Sequence, residues 1–98
     1  MRFELLYTPT AGAQRDALEA STNQAKRWRA VRKTLALMET NIRHPGLNTH
    51  KFDSLIGYNG EEVFEAYAEN KTPAAYSVFW HYGPKKSQIT IVAITQHP

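Results

Sequence analysis

One helical stripe in the middle of the chain constrains the fold more than any other sequence feature. Five apolar residues recur there at intervals of three or four positions: Trp28, Val31, Leu35, Met38 and Ile42. This period places them on one side of an α-helix. The helix is expected to stop at His44-Pro45-Gly46, since Pro cannot continue a helix and Gly supplies the turn. The chain has 98 residues, enough for a single domain over residues 1–98 and not for two.

The rest of the chain predicts strands around this helix and one shorter helix before it. Residues 2–8 predict a first strand, and the Ala-, Gln- and Leu-rich residues 10–24 predict a first helix with Thr10 as its N-cap. Residues 47–60 are expected to form a loop. Three further strands are predicted over residues 61–69, 75–82 and 88–95. The order β-α-α-β-β-β predicts an α+β fold, with an N-terminal helical hairpin packed on one face of an antiparallel sheet.

Composition excludes several classes of protein and site. The chain has no cysteine, so it has no disulfide and no thiolate zinc site. Its four histidines are widely separated and no nucleotide-binding motif is present, so we expect no metal and no cofactor. No signal peptide and no apolar run long enough to span a membrane is apparent. These features predict a cytoplasmic protein that does not associate with membranes.

Basic charge is concentrated in the first half of the chain. Residues 1–50 contain eight Lys and Arg against four Asp and Glu, whereas residues 51–98 contain four against five. Lys26, Arg29 and Lys33 follow a helical period on the side of the second helix opposite to the apolar stripe. Such a surface suits a polyanion or an acidic protein, and the alternative is a face that is simply solvated.

Alternation along the predicted strands suggests which side chains avoid the helices. In the strand at 75–82, Val78 and Trp80 belong to the bulkier side, which leaves Ser77 and His81 on an open face. In the strand at 61–69, Glu65 and Tyr67 point outward by the same reasoning. In the last strand both sides are apolar, so alternation does not decide. The alternative reading is a hydrogen-bonded structural histidine and solvated carboxylates.

The predicted open face combines groups that cleave RNA. One group must take the 2′-hydroxyl proton, another must protonate the leaving oxygen, and a cation must stabilise the charged phosphorane. Glu65 and His81 are the candidates for proton transfer, because histidine titrates near neutral pH. Lys51, or His50 beside it, is the candidate cation from the preceding loop. Tyr67 and Tyr82 are candidates for stacking on a base.

Three segments together resemble a known family. They are residues 44–51 (HPGLNTHK), residues 76–84 (YSVFWHYGP) and the ending 94–98 (ITQHP), and in this order they resemble the RelE/ParE superfamily of bacterial type II toxins. The resemblance implies a compact toxin of a toxin–antitoxin system that is neutralised by a cognate antitoxin. In the RelE-like branch it implies a metal-independent endoribonuclease, an mRNA interferase that cuts mRNA in the ribosomal A site. In the ParE-like branch it implies a protein that poisons DNA gyrase.

The resemblance also adds site residues and one departure. It implies a role for His97 beside Glu65, because some branches use a Glu and a C-terminal His. Ser77 stands near the position where RelE-like toxins carry a phosphate-binding arginine. The predicted RNA-binding residues are Lys26, Arg29, Lys33, Arg43, Tyr67, Tyr82, Lys85 and Lys86. The leading hypothesis is a toxin that inhibits translation by ribosome-dependent mRNA cleavage, with the ribosome, mRNA and an antitoxin as partners. The alternative is a non-catalytic binding module, either a gyrase poison or a relic that binds only its antitoxin.

Overall fold

The chain folds into a five-stranded mixed sheet with two helices on one face. The structure, a computed structural model, describes residues 2–70 and 74–98. Its elements are β1 (Glu4–Tyr7), α1 (Pro9–Ala20), α2 (Ala25–Thr40), β2 (His50–Ile56), β3 (Glu62–Tyr67), β4 (Tyr76–Tyr82) and β5 (Gln88–Gln96). The predicted α+β fold with an N-terminal helical hairpin is confirmed. Within the described ranges, no helix is long and apolar enough to cross a membrane.

The sheet differs from the prediction in strand number and direction. The strand order is β1-β5-β4-β3-β2, and β1 runs parallel to β5 while the other pairs are antiparallel. β2 occupies positions where a loop was expected. It is an edge strand with only Phe52 partly buried, so it lacks the apolar alternation by which a strand is recognised. The turn predicted between the strands at 61–69 and 75–82 includes residues 71–73, which lie outside the described residues.

Both helices begin or end at places that the sequence signals missed. Thr8, not Thr10, is the N-cap of α1, and its Oγ1 accepts a hydrogen bond from the Ala11 N–H at 3.1 Å. Pro9 follows at the first helical position, where its missing N–H costs nothing. α2 ends at Thr40, because the Asn41 backbone leaves the helical conformation. Residues 45–47 form a separate short 3-10 helix after it.

The main core lies between the helices and one face of the sheet. Its central residues are Leu18, Val31, Leu35, Met38, Ala66, Val78, Trp80, Ile89, Ile91 and Ile94. The predicted alternation in β3 and β4 is therefore correct for the residues that face the helices. β5 escapes simple alternation because Trp80 pairs with Ile91 and Phe79 with Ala93, which leaves Val92 as an extra residue between them. This bulge brings both Ile91 and Ile94 to the helix side.

The opposite face of the sheet is not open, contrary to the prediction. Glu65 and Ser77 are 0% exposed, and His81 is 6% exposed. Part of the cover comes from β2, whose Phe52 ring packs on the Phe79 ring with the centroids 4.8 Å apart. The unrecognised strand thus accounts for part of the burial that the sequence did not predict.

Candidate active site

A buried carboxylate with two histidines lies at the centre of this second face. Glu65 is on β3, and its register partner on β2 is His50. The Nε2 atom of His50 lies 3.0 Å from Glu65 Oε1. The Nδ1 atom of His97, beyond the end of β5, contacts Glu65 Oε2. One carboxylate therefore holds imidazoles from two distant parts of the chain, 47 positions apart in sequence (97 − 50).

His97 is oriented by both its backbone and its ring. Its N–H donates to the Ala75 carbonyl at 2.9 Å, which continues the pairing of β4 and β5 past the last strand residue. A carboxylate beside Nδ1 favours the tautomer with the proton on Nδ1, and Nε2 is then a proton acceptor. The side chain is 42% exposed. His97 therefore presents one basic nitrogen at the surface of the cluster.

His50 lies against oxygen atoms on both sides of its ring. Its Nδ1 is 3.2 Å from the Asn48 carbonyl, which can only accept, so Nδ1–H donates there. Its Nε2 is within ion-pair distance of Glu65, yet Oε1 has no well-directed hydrogen bond. The Nε2–H bond is therefore not aligned with Oε1. The Asn48 carbonyl thus satisfies Nδ1, while Nε2 faces the Glu65 carboxylate.

Tyr67 completes the cluster. Its ring lies between the two imidazoles, with centroids 5.3 Å from His50 and 5.6 Å from His97. Burial and, secondarily, the negative charge of Glu65 raise the pKa of Tyr67. The phenol is therefore a neutral hydrogen-bond donor at physiological pH.

The structure does not bring the other two predicted catalytic residues into the cluster. Lys51 precedes Phe52 on β2 and points away from Glu65, because successive strand residues alternate. Its Nζ pairs with Glu62 at 2.7 Å, and this contact raises the pKa of Lys51. His81 is buried and its Nδ1 lies 2.7 Å from the Tyr82 carbonyl. His50 takes the place expected for Lys51, and only recognition of β2 as a strand would have selected it.

Most of the predicted RNA-binding residues lie away from the cluster. Lys26, Arg29 and Lys33 are exposed on α2, on the other side of the sheet from Glu65. Arg43 and Tyr82 line a cavity of about 410 Å³ on that same side. Lys85 and Lys86 are exposed in the turn before β5. Tyr67 is the one member of the predicted set that joins the candidate site among the described residues.

Ser77 is uncharged and its hydroxyl is not accessible to a ligand. It pairs with Tyr67 across β3 and β4, on the face that carries Glu65. Its Oγ is fully buried and has no hydrogen-bond partner among the described residues. Within residues 2–70 and 74–98, no three His, Asp or Glu side chains are arranged to hold a metal ion. Among the described residues, His50 and His97 are the basic side chains that contact Glu65.

A shallow groove of about 270 Å³ includes Gln96 and Pro98, the sequence neighbours of His97, in its lining. It lies between β2 and β5, and its lining residues are Phe52, Ser54, Leu55, Phe79, Ala93, Thr95, Gln96 and Pro98. The side chains of His50 and His97 are 44% and 42% exposed, whereas that of Glu65 is 0% exposed, so a ligand at the cluster meets the histidines first. The chemistry of the site therefore belongs to imidazole nitrogens, with the carboxylate behind them.

Comparison with known proteins supports the architecture. No family model and no curated protein sequence matches the chain. Among solved structures, it is similar to the YoeB dimer from Staphylococcus aureus, with a TM-score of 0.64 over 100% of both chains and 12% sequence identity. At this identity the likeness concerns the fold alone. The chain therefore has the same α+β fold as this YoeB structure.

Proposed function

We propose that this chain is the toxin of a type II toxin–antitoxin system and that it cleaves mRNA on the ribosome without a metal ion. The observation that carries the proposal is the contact of His50 and His97 with the two oxygens of buried Glu65 on a toxin fold. Two imidazoles at one carboxylate supply both proton-transfer groups and a positive charge.

The proposed reaction uses the RNA's own 2′-hydroxyl as nucleophile. His97 Nε2 takes the hydroxyl proton as the oxygen attacks the adjacent phosphorus. The bond from phosphorus to the 5′ oxygen breaks, and His50 Nε2–H donates its proton to that leaving oxygen. The products are a 2′,3′-cyclic phosphate and a 5′-hydroxyl end. The positive charge of His50 also stabilises the phosphorane, which is the task that an arginine at position 77 would perform.

Glu65 has a different role from the one that the sequence suggested. It is 0% exposed, so it does not touch RNA and does not itself exchange protons with substrate. It fixes the tautomer and the ring direction of His97 and supports the charge of His50. This makes it a positioning residue, comparable to the aspartate behind the histidine in serine proteases.

The basic residues of α2 fit the proposed partners. Lys26, Arg29 and Lys33 are exposed and make no ion pair with any described residue, so their charge is available to another molecule. We assign this surface to the acidic segment of a cognate antitoxin and to phosphates of ribosomal RNA. Because it lies across the sheet from His97, binding there leaves the groove free for mRNA. A toxin that acts on ribosomes works in the cytoplasm.

Ser77 favours a second candidate function. Its hydroxyl is buried and uncharged, and no Lys or Arg among the described residues forms an ion pair with Glu65. A protein without phosphate-binding charge fits a non-catalytic module that poisons gyrase or binds only its antitoxin. This candidate predicts intact mRNA in the presence of the protein.

The test is a cell-free bacterial translation reaction in which the 5′ ends of the mRNA are mapped. The wild-type protein should produce new ends only while ribosomes translate, and His97→Gln should lower the cleavage rate by about 10²- to 10⁴-fold. Glu65→Gln should lower it less, since both imidazoles remain. His44→Gln is the matched control, because His44 is exposed and outside the cluster. Intact mRNA with wild-type protein would reject the ribonuclease and favour the binding module.

A further inference from the structure

Arg27 of α2 ties together three parts of the chain next to the C-terminus. Its Nε donates to Glu69 Oε1 at 2.9 Å, and its Nη2 donates to the Ala74 carbonyl at 3.2 Å. Its guanidinium lies 4.2 Å from the centre of the Tyr76 ring. The Tyr76 N–H also donates to Glu69 Oε1, at 2.9 Å. Arg27 and Glu69 therefore hold Ala74 and Tyr76 from the helix side.

The residue between these two is the one that holds His97. Ala75 is buried, and its carbonyl accepts the His97 N–H at 2.9 Å. Within the described structure, His97 is held by this bond, by the ring contact to Glu65 and by the neighbouring Tyr67 ring. The position of Ala75 thus sets the position of the His97 backbone.

We propose that Arg27 is a positioning residue for His97, acting through Ala75 from the opposite side of the sheet; this rests on the proposed function of His97. Arg27 fixes both neighbours of Ala75, Ala75 fixes the His97 backbone, and the backbone sets the direction of the ring toward Glu65. An arginine is needed because one planar fork meets a carboxylate, a carbonyl and an aromatic face together. A lysine has the charge but not this geometry.

The effect on catalysis follows from the tolerance of proton transfer to misplacement. A shift of about 1 Å in a reacting group can cost about 10²-fold in rate. Arg27→Met keeps an unbranched apolar chain over Tyr76 and removes the two donors. We expect its kcat for cleavage to fall about 10- to 100-fold with little change in KM, and Arg27→Lys to recover part of the loss.

Arg15 of α1 provides a matched control. It also lies over a tyrosine ring, 4.3 Å from the centre of Tyr7, and also pairs with a carboxylate, Asp16. None of its contacts leads to the C-terminus. Arg15→Met should therefore leave kcat unchanged while it removes the same kind of arginine–tyrosine contact.

The decisive readout does not depend on ribonuclease activity. In protein labelled at histidine, NMR should show that Arg27→Met moves the His97 ring signals toward those of the Glu65→Gln variant, while the His44 signals stay in place. Arg15→Met should move neither. Unchanged His97 signals in a folded Arg27→Met protein would overturn the positioning role, whatever the wild-type activity. If Arg27→Met does not fold, Arg27→Lys must still shift the His97 signals, and wild-type signals in that variant would overturn the proposal.

Discussion

The two faces of the sheet both contain buried residues, but the polarity of their side chains differs. The face under the helices consists of aliphatic and aromatic side chains, among them Val78, Trp80 and Ile91. The opposite face buries Glu65, Ser77 and His81 beside Phe79. In the described part of the chain, two buried polar atoms on this face, Glu65 Oε1 and Ser77 Oγ, have no hydrogen-bond partner, and one on the helix face, Trp80 Nε1, has none.

The comparison shows that one face of the sheet stabilises the fold and the other carries the candidate site. Burial of apolar surface contributes roughly 25 cal/mol per Å², so the helix face supplies most of the stability. A buried polar atom without a partner costs about 1–3 kcal/mol, so the polar atoms of the second face lower the free energy of unfolding. Local departures from full polar satisfaction of this kind are expected beside functional sites.

The largest effect should come from the helix face. Trp80→Ala should lower the free energy of unfolding by about 3–5 kcal/mol, because Trp80 is 1% exposed at the centre of the core. Urea denaturation measures it, with Leu55→Ala as the control, since Leu55 is 41% exposed and surface changes stay within about 0.5 kcal/mol. Similar losses of unfolding free energy for both variants would contradict the conclusion that the helix face supplies most of the stability.

The second effect should appear in activity and not in stability. His50→Gln should reduce mRNA cleavage by about 10- to 100-fold by our estimate, within the usual range for one proton-transfer group. The 44% exposed side chain contributes little to packing, so the urea midpoint should stay close to that of the wild type. His81→Gln is the comparison, because His81 shares the face but not the cluster. Equal losses of cleavage would restore His81 as a proton-transfer candidate.

A smaller effect tests the cost of the unsatisfied hydroxyl. Ser77→Ala should raise the free energy of unfolding by about 1 kcal/mol, because it removes a buried polar atom that has no partner. Ser77→Arg should instead destabilise the protein, since a fully buried position has no room for a guanidinium. Destabilisation by Ser77→Ala would show that the hydroxyl has a partner in solution, such as an ordered water.

The smallest effect concerns alkaline pH. The pKa of Tyr67 is raised in the folded state by burial and by Glu65, so the folded protein holds this proton more tightly than the unfolded chain. Its contribution to stability is therefore complete below pH 10 and is lost as the pH rises through the folded pKa. Tyr67→Phe should remove this loss, and Glu65→Gln should reduce it. Ultraviolet titration of tyrosinate measures the pKa of Tyr67 in the wild type and in Glu65→Gln. A Tyr67 pKa at the ordinary value for tyrosine would contradict the prediction.

The sequence predicted the helix face well because a local pattern of apolar residues shows which side of each helix or strand is buried. The stripe from Trp28 to Ile42 and the alternation in β3 and β4 identify core residues without any knowledge of their partners. It predicted the second face poorly because β2 carries no apolar pattern of its own. Glu65 and His97 were named in advance, but Lys51 was preferred to His50, and the difference between these neighbours is only which face of β2 each occupies.

The sequence by itself determined the class of fold and the division between apolar helix side and polar second side, since these depend on periods of 3.6 and 2 residues along the chain. The tertiary structure decided that Glu65 is buried, that His50 joins it and that the basic face of α2 lies across the sheet from both. These features depend on strand pairing between residues far apart in the sequence, which no local pattern encodes. The bulge at Val92 and the contact of His97 with Glu65 belong to the same class, because each exists only after β4 and β5 have paired.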